Sequence, residues 1–242
     1  MSSHRFYIDE PWARGKAELT VRGEEARHAV RVKRLGVGDA AQVLDGRGHV
    51  ADARIEGVAR SPADGHWEVR LSLGGVTAVE PVRPRIEVWS AVPKGARLGE
   101  LIDAVSQVGA ALWRPLETRH GIAEPGGTKM DRVRRIAVEA SKQCERAWAM
   151  EVADPARFDD ALRDAPPDSI ILADAGGEPY RPSGAASQRL LIGPEGGWAG
   201  DELDRARSVG VRIARFGPHV MRIETAAVVA CAIILHRESR AP

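Results

Sequence analysis

Arg189–Trp198 reads RLLIGPEGGW and Val211–Ala226 reads VRIARFGPHVMRIETA. Each begins as a short apolar strand, breaks at glycine and proline, and passes into a helical stretch. The first leads to Asp201–Val209, ended by Gly210, and the second to Thr225–Leu235. Strand–loop–helix units in succession imply parallel strands joined by crossovers. Working back toward the N-terminus, the alternation holds. Ile86–Val92 is a buried-strand run, and Leu98, Leu101, Ile102 and Val105 follow the i, i+3, i+4, i+7 spacing of an amphipathic helix. Ala111–Leu116 and Ser169–Ala173 read as strands. Asp131–Trp148 reads as a helix with Val133, Ile136, Ala137, Ala140 and Cys144 on one face. The fold class is therefore α/β: a mainly parallel sheet with helices on both faces. Pro166-Pro167 and Gly176–Gly184 are read as loops.

The first 75 or so residues have a different style. His4–Ile8, Ala17–Val21, Ala40–Leu44, His49–Ile55 and Trp67–Leu73 are short strand patterns, interrupted by one helix at Glu24–Leu35. Asp45-Gly46-Arg47-Gly48 is a hairpin signal, since glycine tolerates positive φ. Short strands with one helix predict a small β-barrel. Thr77–Pro84, with two prolines, reads as a linker. The expected organisation is a barrel over residues 1–76, a linker at 77–84 and the α/β domain over 85–242.

Composition excludes several classes. The chain has 242 residues, 43% hydrophobic and 29% charged, a globular and not a disordered balance. Its longest apolar run, Ala226–Leu235, has about half the length of a membrane-spanning helix. The start, MSSHRFYIDEP, carries Arg5, Asp9 and Glu10 without an apolar core, unlike a secretory signal. Cys144 and Cys231 form no disulfide framework, so a cytoplasmic location is expected. The seven histidines show no metal-ligand spacing, and no metal is expected. A net charge of +1 does not by itself announce nucleic acid.

The Gly193-Pro194-Glu195-Gly196-Gly197 loop matches neither the dinucleotide nor the P-loop glycine pattern. It nevertheless stands at a strand's C-terminal end, where open α/β sheets bind ligands, and its glycines allow close approach to backbone. Arg222 and Glu224 open an otherwise apolar helix, which implies an internal ion pair or a site. Arg27, Arg31, Lys33 and Arg34, with His28, have no acid between Ala26 and Val37. They form either a solvated face or a phosphate footprint, with His28 readable as structural. Glu139, Gln143 and Arg146 fall at i, i+4, i+7, which suits a solvated helix face or an RNA contact. Trp198 is either a ligand contact or packing.

GPEGGW followed by FGPHVMRIETA resembles the signature of the 16S ribosomal RNA small-subunit methyltransferases that modify uridine N3. That family belongs to the SPOUT class of knotted, S-adenosylmethionine-dependent enzymes. Arg27–Arg34 is similar to its H-x-x-V-L-R stretch in a PUA-like barrel, Lys94 to the lysine opening its first knotted-domain helix, and Glu139–Arg146 to its E-A-x-x-Q-x-x-R helix. The chain departs from the pattern at Ala104 and Gln107, where the family has Lys and Glu, and at Met150, where it has Pro. The resemblance implies a trefoil knot, a homodimer, and 16S ribosomal RNA or the small subunit as partner. It implies S-adenosylmethionine held by Leu172, Ala173, Ile192, Gly193, Pro194, Glu195, Gly196, Gly197, Phe216, Gly217, Val220, Met221, Arg222 and Thr225. RNA contacts would come from Arg27, His28, Arg31, Arg34, Lys94, Arg119, Glu139, Gln143 and Arg146. Uracil N3 must lose a proton before it attacks a methyl group. Arg222 is therefore expected to stabilise developing charge, with Glu224 or Glu195 as candidate base. A non-catalytic RNA-binding or ribosome-assembly factor of the same fold is the alternative. A phosphate-ester enzyme would need a metal cluster or P-loop lysine that the sequence lacks.

Overall fold

The structure is a computed structural model that describes residues 4–9, 16–121 and 127–239; Glu10 lies outside them. The chain divides into two compact units, Met1–Pro81 with Ser141–Ala149, and Val82–Ala140 with Met150–Pro242.

The second unit is built on a seven-stranded sheet. Its strands are β6 (Arg85–Ser90), β7 (Leu112–Glu117), β8 (Glu151–Val152), β9 (Ala156–Arg157), β10 (Ile170–Pro179), β11 (Ser187–Ile192) and β12 (Arg212–Arg215). Their order is β12-β10-β11-β6-β7-β8, with β9 also on β7, and the pairings are parallel. Alternate residues serve opposite faces. Ile86 and Val88 of β6, Ile171 of β10 and Leu190 and Ile192 of β11 enter one core. Trp89, Ile170, Leu172 and Leu191 enter the other. This is why the strands read as continuous apolar runs.

Helices α2 (Arg97–Val108), α3 (Gly127–Gln143) and α6 (Ile223–Glu238) supply the first core, with Leu101, Ile102, Val133, Ala137, Ala227 and Ile234 among its members. Helices α4 (Phe158–Ala161) and α5 (Gly200–Ser208) supply the second through Phe158, Ala161 and Ala206. Two guanidiniums, Arg114 and Arg189, lie over the Trp89 ring, at 4.6 and 4.4 Å from its centroid. α2 ends at Gly109 in the left-handed region (φ 118°), the C-terminal signal a helix of this kind needs. No helix among the described residues is long and apolar enough to cross a membrane.

The first unit is a five-stranded sheet ordered β1-β3-β4-β5-β2, from β1 (His4–Tyr7), β2 (Glu18–Arg22), β3 (Ala40–Leu44), β4 (His49–Arg60) and β5 (Trp67–Ala78). Its own core includes Phe6, Val43, Ile55, Val69 and Leu71. The β3–β4 hairpin turns at Asp45, whose carboxylate takes the Arg47 and His49 amides and the His49 ring. The predicted Glu24–Leu35 helix is shorter and of two kinds: α1 (Gly23–Arg27) runs into a π-helical turn, His28–Val32, and Arg34 stands beyond it at φ 57°.

Three segments differ from the sequence reading. α3 starts at Gly127 and stops at Gln143, not Trp148, because Glu145 adopts φ 64° and the chain then turns onto the first unit's hairpin. There Gly48 and Ala149 amides bond to Ala147 and Gly46 carbonyls, Trp148 donates to Val79 O at 2.7 Å, and Lys142 meets Glu25 at 2.8 Å. Residues 141–149 thus belong to the first unit, and Gly48 is required twice over: φ 96°, with Trp148's ring where a Cβ would stand. β5 continues to Ala78, into the segment read as linker. Gly176–Pro179, read as loop, belongs to β10 beyond an irregularity.

At the C-terminal end of α6, the Glu238 carboxylate accepts bonds from Tyr180 Oη, the Gln188 amide and the Ser183 and Gly184 backbone N–H groups. Burial alone would raise its pKa; these donors outweigh that and hold it below the usual carboxylate range. Burial, and the bond to Glu238, push the Tyr180 phenol up. A depressed folded pKa stabilises above the unfolded value and is lost as pH falls through the folded one. Glu238→Gln should cost about 1–3 kcal/mol at neutral pH in urea unfolding. The difference from the parent should close as pH drops below the ordinary carboxylate range.

Candidate functional site

Because β12, β10 and β11 are adjacent and parallel, their C-terminal ends meet at one edge. Three chain segments converge there on a cavity of about 390 Å³. That is within the size range of small-molecule sites. The first segment is an excursion in β10. Ala173 and Glu178 both face Ala214 of β12, so residues 174–177 bulge outward. Asp174 caps its own turn by accepting the Gly176 amide at 2.8 Å. Gly177 crosses so near β12 that a Cβ would lie 2.8 Å from the Ile213 carbonyl oxygen.

The second segment is the glycine loop after β11. The Gly197 amide closes a turn on the Pro194 carbonyl at 2.9 Å, with Gly197 at φ 73°. Trp198 then folds back under the loop. Its indole N–H donates to Ala173 O at 3.0 Å, and its ring packs on Phe158 and directly on Gly193. Trp198 thereby pins this loop to the end of β10, which decides its alternatives toward packing, although it also lines the cavity.

The third segment runs from β12 to α6. Phe216 is buried and stacks on Tyr180 at 5.2 Å. Arg222 is the N-cap residue of α6, extended at φ −65°, ψ 158°, and its carbonyl accepts the Ala226 amide. Its side chain is exposed and lines the cavity.

Of the residues expected at a ligand, Ala173, Ile192, Gly193, Pro194, Glu195, Gly197, Phe216, Gly217, Val220, Met221 and Arg222 line this one cavity. Three others do not. Leu172 is fully buried in the core beneath, Thr225 is exposed along α6, and Gly196 faces His120, whose Cβ would be 3.2 Å from an added methyl. Glu224 does not line the cavity, and no ion pair joins it to Arg222 among the described residues; its Oε2 is buried without a hydrogen-bond partner there. Residues the sequence reading passed over also line it: Asp174, Arg215, His219, Ile223 and Ala226. Asp174 directly follows Ala173, and that adjacency was the available signal.

Glu195 sits between this cavity and a second, lined by Lys94, Arg97, Arg119, His120 and Gly196. Arg97 pairs with Glu195 at 3.5 Å. The loop after β7 is clamped to the glycine loop: His120 Nδ1 donates to Gly197 O at 3.0 Å, and Glu202, nearly buried, accepts the Arg119 and Ala199 amides at 2.9 Å each. Arg119 also pairs with Asp201 at 2.6 Å. The two cavities together combine an apolar, backbone-rich pocket with a cationic one, suited to a polar small molecule beside an anionic polymer.

The other expected nucleic-acid contacts are not among the residues that line these two cavities. Arg31, Lys33 and Arg34 are exposed, and Val32 and Val37 beside them are 64% and 68% exposed. Arg27 is not without counter-charge, since Glu24 one turn earlier holds it at 3.2 Å. His28 stacks on His4, ring centroids 6.0 Å apart, the structural reading. Glu139 and Gln143 are exposed on α3, but Arg146 falls past its end and shares no helix face with them. Among the described residues no group of three or more His, Cys, Asp or Glu could hold a metal ion.

Comparison with known proteins agrees with this geometry. The family profile of the RNA methyltransferase domain matches residues 80–235, and that of the RNA methyltransferase PUA domain matches residues 21–65. Ribosomal RNA small subunit methyltransferase E of Synechocystis sp. is 31% identical over 228 residues, covering 90% of this chain and 73% of that protein. The protein of the same name from Mycobacterium bovis is 30% identical over 238 residues, covering 93% and 88%. A Legionella pneumophila protein solved in complex with the bound cofactor SAM superposes with a TM-score of 0.83 at 25% identity, over 96% of this chain and 97% of that one.

The glycines of the site differ in what they tolerate. An added methyl at Gly193 would stand 2.8 Å from the Trp198 ring, whereas at Gly217 the nearest atom is the Met221 methyl at 3.7 Å. Gly193→Ala should therefore cost about 1–3 kcal/mol by overpacking. Gly217→Ala should leave stability nearly unchanged. Paired thermal unfolding curves read the contrast directly.

Proposed function

The chain belongs to the RNA methyltransferase family, and on that premise we propose that it transfers a methyl group from S-adenosylmethionine to uridine N3 of 16S ribosomal RNA. The observation that carries the reading is the cavity where β10, β11 and β12 end, lined by the loops that bear the sequence signature. Its residues fit the cofactor. Ile192, Phe216, Met221 and Ala226 offer apolar walls for a purine, and Asp174 with the loop backbone offers polar partners for hydroxyl and amino groups. When bound, S-adenosylmethionine supplies an electrophilic methyl carbon on a sulfonium.

The chain's own residues act on the uracil. Deprotonating N3 spreads negative charge over the two ring carbonyls. Arg222, a cation at the cavity wall, favours that charge, all the more where water is excluded. Glu195, at the junction of the two cavities, is the carboxylate best placed to receive the proton. Glu224 is a residue of the helix start and not of the wall. The exposed Arg31, Lys33 and Arg34 of the first unit hold phosphates, which orients RNA without reading its sequence. A homodimer is supported by α6: it is apolar around its circumference, and Val228, Val229 and Ile233 are only partly covered within one copy. A knotted crossing of the loops and a cytoplasmic location accompany this reading, since the substrate is the ribosome's RNA.

Purified protein incubated with S-adenosylmethionine and either naked 16S RNA or small subunits should yield one N3-methyluridine by mass mapping. Absence of transfer to both substrates would sink the proposal. Arg222→Ala should lower the rate by about 10²–10³-fold, as loss of a preorganised donor does. If the variant loses stability while activity per folded molecule holds, Arg222 is structural instead.

Changing Arg31, Lys33 and Arg34 together to Gln should weaken RNA binding. It should also flatten the log–log salt slope by about 0.7–0.9 for each phosphate that these side chains neutralise. Cofactor affinity in the other unit should stay the same. An unaltered slope would make this basic stretch a solvated face.

A further inference from the structure

The second cavity shares only Glu195 with the one assigned to the methyl donor, and its lining is chemically specific. Lys94, Arg97 and Arg119 contribute three cations against one carboxylate, Glu195, with His120 and Gly196 completing the wall. Two of the cations flank the start of α2, which begins at Arg97 and has an alanine, without a capping side chain, at its N-cap. Cations there oppose the helix dipole, which favours acids; Glu195 meets Arg97, while Lys94 has no ion pair among the described residues. The arrangement is an anion seat, and the anion must neighbour whatever occupies the first cavity, because Glu195 lines both.

We propose that this cavity seats a phosphodiester of the RNA substrate next to the target nucleotide, and that the phosphate takes Arg97 from Glu195. This rests on the RNA methyltransferase reading above and adds the place and consequence of docking. Without RNA, Arg97 is held by Glu195 at 3.5 Å, both side chains being partly exposed, so the pair is weak and replaceable. A phosphate offers the guanidinium a two-pronged partner that a single carboxylate contact at this distance does not match. Arriving RNA therefore frees the Glu195 carboxylate at the junction of the cavities, where the first cavity's chemistry needs a proton acceptor. The Arg119 backbone N–H is held by Glu202 and His120 by Gly197 O, so these hold the wall in place while Lys94 and Arg97 meet the anion.

The test is RNA binding by the full chain, with a 16S RNA fragment containing the methylated uridine, across a range of salt. Arg97→Gln should lower affinity several-fold and flatten the salt slope by about 0.7, the contribution of one phosphate contact on a single strand. Lys94→Gln, at an exposed position that leaves folding intact, should do the same. Glu195→Gln should have the opposite sign and tighten RNA binding, because it removes the competitor for Arg97. That gain should shrink when Arg97 is already Gln, a coupling that the double-mutant cycle reads. S-adenosylmethionine affinity by calorimetry should be unchanged in Arg97→Gln and Lys94→Gln.

An unaltered salt slope in both single variants overturns the seat, and an equal gain from Glu195→Gln in both backgrounds overturns the exchange. If inorganic phosphate binds the wild type while RNA binding ignores Arg97, the cavity takes a free anion and the proposal falls. Failure of the methyltransferase reading would show elsewhere, as wild-type protein that binds RNA but transfers no methyl group to it.

Discussion

The indole N–H of Trp198 on the carbonyl of Ala173 is the contact on which the site depends. A buried N–H without a partner is costly, so this ring has essentially one way to sit. Sitting there, it fills the space over Gly193 and leans on Phe158. One side chain thus joins the end of β10, the loop after β11 and the core beneath the sheet. Much of the cavity wall is consequently backbone held in place by this ring. The wall so formed combines main-chain groups and apolar side chains with the charged Asp174, Glu195, Arg215 and Arg222.

The neighbouring cavity is the more strongly cationic, with Lys94, Arg97 and Arg119 in its wall. The buried carboxylate of Glu202 accepts two amides, from Arg119 and Ala199, and so ties the loop after β7 to the one after β11. That tie brings Arg119 to the same cavity as Glu195, and the segment after β6 adds Lys94 and Arg97 to its wall. An apolar pocket and a cationic pocket that share a carboxylate suit a reaction between a small cofactor and a polyanion. Glu195 lies where the two cavities meet.

The parallel strands were legible because their residues alternate between two cores and so read as apolar runs, and the long helices because one apolar face of each enters a single core. Boundaries were less so. α3 continues in the sequence pattern to Trp148 but stops at Gln143, because the backbone of 147–149 bonds with Gly46 and Gly48. No local pattern announces a partner so distant in sequence. The same competition moved Arg146 off the helix face it was expected to share with Glu139 and Gln143. Arg27 had a counter-charge in Glu24 just outside the window in which acids were sought.

Most of the site was also legible, since the two loops that line it directly follow apolar strands, and a strand end followed by glycine is a local signal. Sequence by itself therefore determined the fold class, the family resemblance and the loops of the cavity. Tertiary structure alone decided which side chains face the cavity. Leu172 turned into the core while its neighbours Ala173 and Asp174 line the cavity, Gly196 turned to His120, and Glu224 makes no ion pair with Arg222 among the described residues. The reason is geometric: successive residues of a strand or tight turn point in different directions, and which direction meets the cavity is set by the strands and loops packed against it.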